Sequence, residues 1–135
     1  MRPNYVSGYK VNSISIIKSD FYRIEKFPKG EIINHDADIT VGNEVTKTIA
    51  RCKLSVNCIC RDDKKNEVAK ADITVFGEFK LLDKDTDLEI QQFADLNAYA
   101  IMYPFIREHL FNLYLKAGMN AIMLPSVNFQ EFAKQ

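Results

Sequence analysis

Three thiols and two imidazoles are the most reactive groups in this 135-residue chain, and their spacing limits what they can do. Cys52, Cys58 and Cys60 fall on one phase of an alternating segment. A tetrahedral metal site needs two close pairs, or cysteine converging with histidine. On a strand these three instead form a row, with Cys58 and Cys60 about 7 Å apart, and no His-x-x-His companion exists. They read as small buried hydrophobes. His35 sits among apolar neighbours, and a general base needs both an orienting acceptor and a nucleophile. The nearest serines, Ser13, Ser15 and Ser19, belong to a different segment, and His109 stands beside Glu108. Asp36 and Asp38 share one side of a strand, where two carboxylates could hold a cation, act as acid and base, or simply face water. The five glycines, at 8, 30, 42, 77 and 118, form no phosphate-cradling loop. The expectation is a protein with no catalytic set, metal or cofactor. An enzyme using His35 with Asp36 or Asp38 is the minor alternative.

The elements that carry these groups are legible from periodicity. Residues 11–27 read as a first strand whose apolar phase slips between Ile16 and Ile17, which predicts a bulge. Residues 31–42 form a second strand, with "VGNE" as the turn that follows. From Ala50 to Cys60 the even positions are Ala, Cys, Leu, Val, Cys and Cys, set against Arg51, Lys53, Ser55 and Asn57. A period of two means one buried and one wet face. "RDDKKNE" is a charged hairpin turn, and residues 68–82 alternate again. With no helical pattern between strands, the fold class is α+β, a four-stranded antiparallel meander followed by helix. "TDLE" has the form of a capping box, so the long helix is predicted to start at Thr86. Pro104 should kink it, and Gly118 should end it. Such a helix, roughly 45 Å long, exceeds what one small sheet can cover. "SVNFQEF" predicts a short second helix.

Lysine plus arginine equals aspartate plus glutamate, 18 against 18, so no nucleic-acid or anionic-membrane footprint is present in the totals. No run of about 18 apolar residues suggests a membrane span. "MRPNYVSGYKVNS" lacks an apolar signal core, and the odd cysteine count suits a reducing cytoplasm. One domain over residues 1–135 is expected. What needs explaining is an apolar surplus. The helix carries Met102, Phe105, Ile106, Leu110, Phe111, Leu113, Tyr114 and Leu115 around most of its girth. Beyond Gly118 come Met119, Ile122, Met123, Leu124, Val127, Phe129 and Phe132. Either this tail folds back to close the core, or its thioethers and aromatics line a groove that repacks around apolar partners. A closed pocket for a small apolar ligand is the alternative from another class.

"YPFIREHL" followed by "LPSVNFQEF" resembles the SecB-type export chaperones. Their long helix carries an aromatic-Pro-aromatic-Arg-Glu element, and a loop then leads to a Pro-Val-Asn-Phe element opening a second helix. The resemblance spans roughly residues 10–132. It implies an ATP-independent holdase that binds unfolded chains and assembles as a dimer of dimers, with the long helices between sheets, in a bacterial cytoplasm. Carried over, the client groove is Met119, Ile122, Met123, Leu124, Val127, Phe129 and Phe132. Arg107 and Glu108 would anchor the long helix to its neighbours. Asp20, Glu25 and Asp72 match the acidic surface that meets the SecA translocase motor. The chain departs from general export members in its neutral charge, in ending "AKQ" after Phe132, and in the Ser126 between proline and valine. SecB-like proteins that guard an antitoxin are the second form the resemblance offers.

Overall fold

Alternation of buried and exposed side chains builds one antiparallel sheet from strands β1 (Tyr9–Arg23), β2 (Asn34–Val45), β3 (Ile49–Arg61) and β4 (Glu67–Leu81). The computed structural model describes residues 8–27, 34–83, 89–120, 122–129 and 131. β2, β3 and β4 run as the expected meander. β1 lies on the far side of β4, giving the order β1-β4-β3-β2. This is a Greek-key arrangement in which the first strand returns beside the last. On the core face Ala50, Cys52, Leu54, Val56, Cys58 and Cys60 are buried, opposite Ala69, Ala71, Ile73, Val75 and Phe79. Register shifts in β1 fall between Val11 and Ser13 and between Ile16 and Lys18, the second at the phase slip read from the sequence.

The turns follow side-chain chemistry. "VGNE" is strand rather than turn, because Gly42 and Asn43 keep their pairing with Lys53 and Cys52. The chain reverses at Thr46–Ile49, where Thr46 Oγ1 accepts the Ile49 N–H at 3.0 Å. At the other hairpin Asp62 accepts the backbone N–H groups of Lys64 and Asn66, both at 2.9 Å. Lys65 adopts φ 68° there. The "FPKGE" turn lies mostly outside the described residues.

The helical segment has three parts: α1 (Ile90–Phe93), a π-helical turn (Ala94–Ala98) and α2 (Tyr99–Lys116). Glu89, predicted at the third helical position, is instead extended at φ −63°, ψ 151° and stands as the N-cap without a side-chain hydrogen bond. The helix therefore starts later than the capping-box reading required, and Thr86 lies outside the described residues. Pro104 sits inside α2 without ending it. A further irregularity is the π-helical turn upstream, whose wider i→i+5 turn rotates the register. That rotation lets Phe93, Ala94, Ala98 and Tyr99 all bury on the sheet side. Gly118 ends α2 at φ +72°. Its N–H bonds to Leu115 O at 3.0 Å and the Met119 N–H to Tyr114 O at 3.0 Å, a Schellman motif. α2 crosses β4 and β3 so closely that a Cβ on Gly77 would lie 2.9 Å from Met102 Sδ. No helix among the described residues is long and apolar enough to cross a membrane.

Candidate functional site

The chemically reactive groups are engaged inside the fold. His35 Nε2 shares a 2.9 Å hydrogen bond with Tyr114 Oη, and the rings meet edge to face at 5.7 Å. Cys60 Sγ–H donates to the same phenol oxygen at 3.7 Å. Burial lowers the His35 pKa against a smaller opposing pull from Asp36. Burial also pushes the Cys52 and Cys58 thiols up to about 12 and raises Cys60. All three cysteines are free, and burial disfavours the thiolate that a nucleophile needs. The serine–histidine contact that forms is Ser19 with His109, at 2.8 Å, and not one with His35. Among the described residues no carboxylate hydrogen-bonds either imidazole. Asp36 instead accepts from Arg61 at 2.8 Å on the outer face of the sheet. Among the described residues no three metal-ligating side chains converge.

The tail divides residue by residue. After Gly118 the chain runs back over α2 as a strap, residues 122–128, without regular secondary structure. Met119, Leu124 and Phe129 are buried and complete the protomer's own core. Phe129 packs against Tyr103 at 5.4 Å and Tyr99 at 6.0 Å. Ile122 and Val127 are partly buried against that core. Met123 is 52% exposed, next to a Leu124 that is 1% exposed. Phe132 lies outside the described residues. Phe129 and Glu131 are helical, and the Glu131 N–H bonds to Asn128 O at 3.1 Å. The rest of the expected second helix falls outside the described residues.

Two side chains of α2 hold the strap. Tyr103 Oη–H donates to Pro125 O at 2.7 Å, and Arg107 Nε–H donates to Leu124 O at 3.0 Å. The Arg107 guanidinium lies over the Tyr103 ring, 5.9 Å from its centroid. Arg107 thus anchors the chain's own strap. The Glu108 side chain is exposed and makes no hydrogen bond or ion pair among the described residues. Pro104, Arg107, Glu108, Phe111 and Met123 line a surface cleft with a volume of about 290 Å³. Further apolar side chains emerge on the same helix, with Ile101, Phe105 and Leu115 all exposed. A second apolar set, Val11, Ile16, Ile17 and Tyr22, is exposed along the edge strand β1.

The acidic residues matched to a motor-contact surface lie elsewhere. Asp72 is ion-paired with Lys18, and Asp20 lies 3.8 Å from the same ammonium. That contact raises the Lys18 pKa, chiefly through the Asp72 hydrogen bond. Glu25 is exposed beyond the end of β1. The outer sheet face as a whole alternates charge, with Arg51 paired to Glu78 and Arg61 to Asp36.

No family model matches the sequence. The uncharacterized protein MJ0357 of Methanocaldococcus jannaschii is 27% identical over 128 residues, covering 90% of this chain and 77% of that protein. Among solved structures, the fold is shared with the SecB-like chaperone Rv1957 of Mycobacterium tuberculosis, solved in complex with a ChAD peptide from the Rv1956 HigA1 antitoxin. The TM-score is 0.75 at 15% identity, over 88% of this chain and 90% of that one. The fold of this chain is therefore SecB-like: a four-stranded antiparallel sheet followed by a long helix.

Proposed function

We propose that the protein is an ATP-independent chaperone that holds non-native polypeptide segments on apolar surface. The observation that carries this reading is the run of exposed apolar side chains on α2 and the strap, Ile101, Phe105, Leu115 and Met123, on a SecB-like fold. A chain of zero net charge has little electrostatic repulsion to keep such a surface soluble, so its retention calls for an occupant. Burying apolar area contributes about 25 cal/mol per Å². A client covering ~1,000 Å² gains tens of kcal/mol gross, most of it offset by ordering. Such binding is tolerant of sequence and selects for unfoldedness. The client-facing residues on this reading are Met123, Ile122 and Val127, with Met119, Leu124 and Phe129 behind them. Assembly as a dimer of dimers would cover the exposed apolar side chains of β1. Among the described residues no carboxylate orients His35 or His109, which favours a binding protein over an enzyme. Three clefts lined by described residues open to solvent, the form that an extended client needs.

Two client regimes fit. Passage to SecA would need an acidic docking face, yet Asp72 is paired with Lys18 and Asp20 lies 3.8 Å from the same ammonium, which offsets one of the two charges. This favours a dedicated client, such as an antitoxin, over general export in the cytoplasm. The test is suppression of aggregation of several chemically unfolded proteins without ATP. Failure with every one of them sinks the reading. SecA binding at micromolar concentration would restore the export form.

A further inference from the structure

We infer that the face of α2 formed by Tyr99, Tyr103 and Arg107 is itself a binding site for an extended apolar peptide, and that the chain's own strap fills it until a client segment displaces it. The inference rests on the chaperone reading and adds to it the site and its competitor.

The strap is held as a bound peptide is held. Among the described residues, no backbone–backbone hydrogen bond involves residues 122–127. What fixes them is a pair of side-chain donors on α2, spaced one turn apart, that capture two consecutive carbonyls. The flanking side chains of Leu124 and Phe129 are inserted into the core. Carbonyl capture reads a main chain whatever its sequence, and an apolar plug reads size alone. Together these are the terms by which grooves recognise extended peptides. The strap therefore demonstrates the site's chemistry with a segment of this same chain.

The same contacts choose the class of competitor. If the strap leaves, the Tyr103 hydroxyl and the Arg107 N–H lose their acceptors next to apolar surface, which is costly unless new acceptors arrive. A client main chain brings carbonyls; a fatty acyl chain does not. The strap competes at an effective concentration near the millimolar range set by its tether. A client displaces it by making several such contacts at once. Met123, pointing out beside the inward Leu124, gives an arriving segment its first apolar contact.

The experiment uses the full chain and reduced, carboxymethylated α-lactalbumin as a permanently unfolded client. Hydrogen exchange of residues 122–129 in the wild-type protein is expected to speed up when the client binds. In Leu124→Ala, which removes a plug and leaves both donors, client affinity is expected to rise about tenfold. Palmitate is expected to leave strap exchange unchanged. Client binding with unaltered or slower strap exchange overturns this inference while leaving the chaperone reading intact, and so does weaker binding by a folded Leu124→Ala protein. Faster strap exchange with palmitate overturns the choice of a peptide. Absence of client binding overturns both readings. The wild-type exchange measurement decides the matter even where Leu124→Ala does not fold.

Discussion

Tyr114 gathers the polar groups that the core admits. It is the largest fully buried side chain, and its hydroxyl joins His35 of β2 to Cys60 of β3 beneath the end of α2. Removing that hydroxyl in Tyr114→Phe leaves His35 Nε2 without its partner and should cost about 1–3 kcal/mol, read as a lower urea midpoint. The same pair makes stability depend on pH. Burial lowers the folded-state pKa of His35 below its ordinary value near 6.5. The folded chain then binds fewer protons than the unfolded chain as pH falls. This contribution is fully present above the unfolded pKa and is lost as pH falls through 6.5 toward the depressed folded value. The urea midpoint should decline between pH 7.5 and pH 5, and His35→Phe should flatten that decline. An equal slope in the variant would remove His35 as the cause.

Two glycines set how the helical segment meets the rest of the fold. Gly118 occupies the left-handed region with open space where a Cβ would stand. Gly118→Ala should therefore cost about 1–2 kcal/mol through backbone strain alone. Gly77 has the opposite problem, a permissive backbone but no room. A methyl there would meet Met102 Sδ at 2.9 Å and the Phe79 ring at 3.0 Å. Gly77→Ala should lift α2 from β4 and cost about 1–3 kcal/mol, seen as a lower Tm. A neutral Gly77→Ala would mean that Met102 repacks freely. The π-helical turn is pinned by its own network. Asn43 of β2 donates to Asp95 at 3.0 Å and to Tyr99 at 2.8 Å, and Gln91 donates to both Asn43 and Asp95. An inward asparagine on an edge strand thus fixes where the helical register changes.

At the scale of the molecule, the two edges of the sheet are unlike. β2 carries Asp36, Asp38 and Glu44 on its outer face, whereas β1 exposes Val11, Ile16, Ile17 and Tyr22. Charged edges resist further pairing, and apolar ones invite it. On the chaperone reading, light scattering at micromolar concentration should give a mass above that of one chain. Ile17→Lys should reduce it, and a monomeric wild-type protein would contradict the assembly. Client binding through apolar area should change little between 50 and 500 mM salt, because screening acts on charge and not on burial. A steep loss of holdase activity with salt would point to an ionic mode instead.

The sequence by itself determined the periodic parts. The alternation from Ala50 to Cys60, the slip at Ile16–Ile17 and the stop at Gly118 are local properties of side-chain phase and backbone freedom, and each reappears in the coordinates. The paired motifs around Pro104 and Pro125 likewise led to a SecB-like fold. The placement of β1 beside β4 was not legible, because it depends on pairings some sixty residues apart that no local pattern encodes. Nor could spacing separate Met123 from Leu124, two apolar neighbours of similar size. Only the path of the backbone, held where Tyr103 and Arg107 take two carbonyls, sends one outward and the other into the core. Side-chain type fixed how much apolar surface the tail would carry. Which of it stays open is a matter of tertiary hydrogen bonds, because a strap without regular structure has no phase of its own.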